Sequence, residues 1–145
     1  MPLIIKKQPK EIIGIDYSQS MLAIARRKYP IVKFIEADVA NYQFASNSID
    51  KIICTYSMSM IEEWQKTIQN VANSLKRNGI FVILDFHPWQ GFLKIFYPIF
   101  RWWLKKHGVY AEKDFVSYLK LYFKEVRKII LNFGYNQIII AKFPK

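Results

Sequence analysis

The 145-residue sequence predicts an α/β fold: a doubly wound, mostly parallel sheet with an antiparallel hairpin at its C-terminal end. Three observations predict it. Strand-like and helix-like segments alternate from Ile12 to Asp85. Ile80–Leu84 is one continuous apolar run, as a parallel strand covered on both faces requires. Two earlier strand-like runs end on acids, Asp16 and Asp38, the position from which open α/β sheets address ligands.

Residues 12–16 read as a short buried strand closed by Gly14 and Asp16. Ser18 is a good N-cap for a helix whose inward face would be Met21, Leu22, Ala25 and Tyr29, stopped by Pro30. Val32–Asp38 alternates as a strand, Asn41–Ser48 is a polar loop, and Asp50–Thr55 is the next strand. Trp64, Ile68, Val71, Ala72 and Leu75 fall on one helical face. Lys76 and Arg77 suit that helix's negative end, and Asn78-Gly79 predicts a left-handed turn closing it. Beyond Phe86, residues 91–106 predict helical pieces broken at Pro98, and residues 114–122 a further helix. Residues 123–131 fit either a helix or a strand. We favour a hairpin, with Asn132–Tyr135 as the turn and Asn136–Phe143 as the return strand. The whole chain reads as one domain, 1–145, with an aromatic and basic helical insert at about 86–110.

Several short motifs then occur in a fixed order. They are Ile13-Gly14-Ile15-Asp16-Tyr17-Ser18 with Met21–Arg26, Glu36-Ala37-Asp38-Val39, Ser48–Ile53, and Leu75–Ile83. Each alone is weak; in this order they resemble the second to fifth strands of class I S-adenosylmethionine-dependent methyltransferases of the type 11 kind, over about half the chain. The resemblance implies a Rossmann-like methyltransferase fold and S-adenosyl-L-methionine as cofactor. It implies that the acid at Asp16 binds the ribose hydroxyls, that at Asp38 the adenine amino group, and that Tyr17 and Val39 line the adenine. Met21 and Cys54 are the further cofactor-binding candidates. A carboxylate suits these tasks because it accepts from vicinal hydroxyls or an exocyclic amine with charge assistance. The plain alternative is that both acids cap turns at strand ends.

The departure from the family is at the front. There a first strand and a Gly-rich turn precede the second strand, whereas here Met1 stands about a dozen residues before Asp16, and Pro2–Lys10 resembles the tail of the first helix. We therefore expect the central first strand to be missing, with roughly 20–30 residues of a strand–turn–helix unit. The expected cause is a truncated gene product or a misassigned start. The neighbouring strands would keep unpaired edges unless Met1–Lys7 or another chain fills the gap, at roughly 1–3 kcal/mol per buried unsatisfied group.

Methyl transfer is a one-step displacement, so alignment of the acceptor is the main task, worth roughly 7–11 kcal/mol. His87, just after the fifth strand, is the catalytic candidate as general base; a loop histidine before proline also reads as structural. Tyr56 and Trp89 are substrate-contact candidates, and no metal is expected. Aromatics interleaved with bases from Phe86 to Lys106 suit either a lid over the pocket or an interfacial helix on an anionic membrane. Either reading favours a small-molecule or lipid acceptor that is hydrophobic, such as a quinone precursor or lipid amine.

Composition bounds the alternatives. Net charge +11 suits an anionic partner, but the bases are spread, so a general bias explains the charge as readily. An RNA methyltransferase would account for the charge, yet no RNA-binding motif or clustered basic face is present, and nucleic acid is not expected as a partner. A non-catalytic remnant or partner subunit would account for the missing loop. One cysteine, Cys54, excludes an internal disulfide framework. No signal-peptide layout is present, so the expected location is cytoplasmic, with peripheral membrane contact allowed.

Overall fold

The computed structural model describes residues 9–88, 95 and 97–145, the side chain of Phe133 excepted. The segment expected to be a helix tail lies, for residues 1–8, outside the described residues, as does the insert at 89–94 and 96. The element order is β1 (Ile13–Asp16), α1 (Gln19–Lys28), β2 (Lys33–Glu36), β3 (Ile49–Thr55), α2 (Trp64–Ser74), β4 (Leu75–Phe86), α3 (Tyr97–Lys106), α4 (Phe115–Tyr122), β5 (Phe123–Leu131) and β6 (Asn136–Pro144). A one-turn 3₁₀ helix, Asn132–Gly134, joins β5 to β6. The chain divides into two compact units, residues 1–42 and 43–145.

The first unit is a β–α–β hook. β1 and β2 pair in parallel, from Ile13 opposite Lys33 to Asp16 opposite Glu36. Ser18 caps α1, its Oγ accepting from the Met21 N–H at 3.4 Å, and Tyr29 ends the helix before Pro30. Of the four residues expected to face inward, only Leu22 is fully buried; Met21 is 55% exposed. Two four-residue strands offer too small a platform to bury more than one helical position fully.

The second unit is a four-stranded sheet in the order β3-β4-β6-β5. β3 and β4 are parallel, while β6 lies antiparallel between β4 and β5. The C-terminal hairpin is therefore as expected, and the strand alternative holds for residues 123–131. β4 alternates between buried and half-buried side chains, so one face carries the core. Phe81, Ile83, Ile139 and Ala141 from the sheet meet Ile68 and Val71 of α2 and Phe115 and Leu119 of α4. Trp64 packs edge-on against Phe115 at 5.4 Å and Tyr118 at 5.3 Å. Gln69 bridges the hydroxyls of Tyr118 and Tyr122 at 3.1 and 2.6 Å, tying α2 to α4 where their apolar faces end.

One expectation is corrected. The left-handed turn at Asn78-Gly79 does not form. The chain passes from α2 directly into β4, and Lys76–Gly79 bulges between the register pairs Ile49–Leu75 and Lys51–Ile80. The last α2 carbonyls need no glycine cap, because the N–H groups of Asn47 and Ser48 donate to Asn73 O and Ser74 O at 3.0 and 2.8 Å. Lys76 binds Asp50 at 2.9 Å rather than the helix end. The helical stretch expected on the C-terminal side of Pro98 is α3, while most of the piece expected before it lies outside the described residues. Pro98 sits in the first turn of α3, where no intrahelical N–H is required.

Gly79 is nonetheless needed, for space rather than for backbone sign. A Cβ there would lie 2.7 Å from Lys76 O and 2.8 Å from Leu75 Cβ. Gly79→Ala should lower stability by about 1–3 kcal/mol, the usual cost of forcing one extra carbon into packed backbone. Urea denaturation checks this, and an unchanged midpoint would show that the bulge yields freely.

Candidate functional site

In the first unit the parallel strands β1 and β2 both end on acids, so the carboxyl edge of the pair is built from Asp16, Glu36 and Asp38. The Ala37 N–H donates to Asp16 O at 3.2 Å and continues the ladder past the strands. Asp16 Oδ1 accepts from the Ser18 N–H at 2.8 Å, which turns the chain into α1. Asp16 Oδ2 has no hydrogen bond among the described residues. Asp38 accepts from the Ala40 N–H at 2.9 Å through Oδ1 and from Asn41 Nδ2 at 2.7 Å through Oδ2.

Above this edge lies an open cleft of about 680 Å³, lined by Tyr17, Ser18, Gln19, Ser20, Glu36, Ala37 and Asp38. Of the predicted cofactor residues, Tyr17 and Asp38 line the cleft together; Asp16, paired with the lining residue Glu36 at the strand ends, is not itself among the lining residues. Val39 is half-buried next to Asp38, and Met21 stands exposed on α1; neither is among the lining residues. Sequence reasoning missed Glu36 as a cleft residue, although its pairing opposite Asp16 was implicit in the alternation of the second strand. The edge offers acceptors in excess, so it suits a ligand rich in donors. Among the described residues no group of histidine, cysteine and acids could hold a metal ion.

In the second unit the predicted residues gather at the carboxyl ends of β3 and β4. Cys54 is half-buried, with Sγ 3.0 Å from Ser57 Oγ, and burial pushes its thiol up to about 11. It is an inert neutral thiol at neutral pH. Tyr56 leaves β3 with φ 53°, a left-handed backbone rarely adopted by a bulky residue. Its N–H donates to Leu84 O at 2.7 Å, and its ring lies 5.1 Å from that of Phe86.

A buried latch holds the loop after Tyr56. The Asp85 carboxylate, wholly inaccessible, accepts from the Ser59 N–H at 2.8 Å, Ser59 Oγ at 2.7 Å and the Phe86 N–H at 2.8 Å. Lys113 closes the same loop from the other side, donating to Ser59 O at 2.9 Å and Ile61 O at 2.6 Å. Burial pulls the Lys113 ammonium below the usual lysine value, and the nearby Asp85 and Glu62 charges oppose that shift.

His87 is 5% exposed. Its N–H donates to Tyr135 O at 2.9 Å and its Nδ1 lies 3.1 Å from Gly134 O. A carbonyl only accepts, so Nδ1 carries the proton and Nε2 is the basic nitrogen. Burial, then the Lys128 charge, lowers its pKa below the ordinary histidine value. Trp89, the other substrate candidate, lies outside the described residues.

A methyltransferase-domain family model matches residues 2–83. The ubiquinone/menaquinone biosynthesis C-methyltransferase of Campylobacter jejuni strain 81-176 is 38% identical over 81 residues, 56% of this chain and 34% of that protein. The demethylmenaquinone methyltransferase of Thermotoga maritima is 30% identical over 122 residues, 80% of this chain and 52% of that protein. These matches span about a third to a half of the curated relatives' length. Among solved structures, the phosphoethanolamine N-methyltransferase 2 of Haemonchus contortus in complex with S-adenosyl-L-methionine superposes with TM-score 0.78 at 15% identity, over 93% of this chain and 44% of that one.

The lowered His87 pKa makes a pH prediction. The neutral imidazole is favoured by the fold, so its stabilisation is full above the unfolded value of about 6.5 and is lost as pH falls through the lower folded value. The urea midpoint should therefore drop from pH 7.5 to 5.5 by more in the wild type than in His87→Gln. Parallel pH dependence of the two would remove His87 from the acid response.

Proposed function

The chain belongs to the methyltransferase-domain family, the class I S-adenosylmethionine-dependent methyltransferases, and on that premise we propose that it methylates a small hydrophobic acceptor of the quinone-precursor type. The observation that carries the reading is the carboxyl edge of β1 and β2, where Tyr17, Glu36 and Asp38 line one open cleft and Asp16 pairs with Glu36 beside it. The acceptor set fits the adenosine part of the cofactor: a carboxylate oxygen at Asp16 with no hydrogen bond among the described residues, a second carboxylate at Asp38, and aromatic surface from Tyr17. In this reading Asp16 takes the ribose hydroxyls and Asp38 the adenine amine, with Tyr17 and Val39 against the ring. When bound, the cofactor supplies a methyl group on a sulfonium, ready for displacement.

The protein's own task is to hold and desolvate the acceptor. The curated relatives named above methylate quinone precursors by their names, which supports a planar, apolar acceptor here. A quinol becomes nucleophilic at carbon as its ring hydroxyl loses a proton. His87 Nε2, kept neutral by burial and oriented by the Gly134 carbonyl, is the proposed recipient of that proton. Tyr56 is the proposed acceptor contact, at the carboxyl end of β3 with its ring 5.1 Å from that of Phe86. With a naphthoquinol acceptor, His87→Gln should remove the acidic limb of the pH–rate profile. An unchanged limb would sink the base assignment.

Calorimetric titration with S-adenosylhomocysteine tests the cofactor reading on the full chain. Asp16→Asn should weaken binding about tenfold to a hundredfold, the equivalent of one charged hydrogen bond of roughly 1.5–3 kcal/mol. Equal affinity in the two proteins, or no binding by the wild type at millimolar ligand, would overturn the reading.

A further inference from the structure

Helix α3 is apolar on two opposite sides. Phe100 and Leu104 point inward, Leu104 fully buried with Val109 and Ala111. On the other side Ile99, Trp102, Trp103 and Lys106 follow the i, i+3, i+4, i+7 spacing of one helical face. That face lies in solvent: Ile99 is 72%, Trp102 65% and Trp103 48% exposed. Ile95 just before the helix is exposed as well. Clustered exposed aromatics on one helical face mark a contact surface.

The chemistry around the face selects its partner. Lys106 Nζ stands 5.7 Å over the Trp102 ring, and Lys105 adjoins it. Neither lysine is in an ion pair among the described residues, whereas Arg101 is held by Glu112 at 2.6 Å. α3 contains no acid, and the whole chain carries +11. Indole rings flanked by ammonium groups match the boundary between acyl chains and phosphates, where an amphipathic ring sits half in each phase. At ten residues α3 is too short to cross a bilayer, and no helix among the described residues is long and apolar enough to do so.

We propose that the outer face of α3 docks this protein on an anionic lipid surface, with Ile99, Trp102 and Trp103 entering the headgroup layer and Lys105 and Lys106 meeting lipid phosphates. The docking does not rest on methyl transfer, so it stands or falls separately from the cofactor reading.

Sedimentation of the full chain with vesicles tests it, comparing phosphatidylcholine alone with phosphatidylcholine containing phosphatidylglycerol. Binding should be about tenfold or more tighter to the anionic vesicles and should weaken with salt. Trp102→Ala/Trp103→Ala should reduce it at least about tenfold, and Lys105→Gln/Lys106→Gln several-fold with a flatter salt dependence. Leu121→Ala, an exposed apolar residue on α4, should bind as wild type. Thermal melts of each variant show whether the fold is kept. If the tryptophan variant melts early, the lysine variant, which touches only exposed ammonium groups, still decides the question. Equal binding to both vesicle types, unchanged binding of the folded tryptophan or lysine variant, or a dimer that the tryptophan variant dissolves without any vesicle binding would each overturn the proposal.

Discussion

The second unit depends on one buried carboxylate. Asp85 sits at the end of β4 with no water access, and a charge there is tolerable only if its lone pairs are filled. Two bonds come from Ser59 and one from the next residue's own N–H. That requirement dictates the path of the chain after β3, because Ser59 must return to the sheet. Tyr56 is where the return is made, and its left-handed φ is the local cost. Lys113 then gathers the carbonyls of the same loop, bringing the segment before α4 against it. Removing one hydrogen-bond partner from such a group typically costs about 1–3 kcal/mol or more, above the usual worth of a surface ion pair.

Most of the fold was legible because its elements are fixed by local pattern. The apolar run of β4, the one-sided spacing of α2 and the Ser18 cap each name their own structure without help from distant residues. The hairpin of β5 and β6 was less legible, since Val126, Ile129 and Ile130 suit a helix as well as a strand. Pairing with β6 decided it, and that is a tertiary fact. The turn at Asn78-Gly79 failed for the same reason in reverse. A glycine after a helix predicts a cap, but here the loop at Asn47 and Ser48 satisfies the helix end first. The glycine's real constraint, the 2.7 Å approach to Lys76 O, has no sequence signature.

The candidate site was legible in its acids and opaque in its partners. Asp16 and Asp38 stand out as acids closing apolar strands. That each also fixes a turn shows the two readings of these residues to be compatible: an ionised carboxylate has about four lone-pair positions, and a turn uses one or two. His87 was legible as a residue after a strand, but its burial and its bond to the β5–β6 turn depend on a segment more than forty residues away. Asp85 was visible only as the end of a strand, because nothing nearby in sequence announces Ser59 or Lys113 as its company.

The placement of acids in a basic chain carries a further argument. Three of the eleven acids lie at the carboxyl edge of β1 and β2, with Asp16 directly opposite Glu36. Like charges in facing positions oppose strand pairing. In water two charges some 6 Å apart repel by only about 0.7 kcal/mol, so an open edge carries them cheaply. Once a ligand covers the edge and excludes water, the same repulsion grows several-fold, and the ligand must bring its own hydrogen-bond donors to offset it. Covering such an edge with an anionic or donor-poor molecule therefore costs more than covering it with one rich in donors. On the proposed reading, the hydroxyls and amines that a nucleoside presents are such donors.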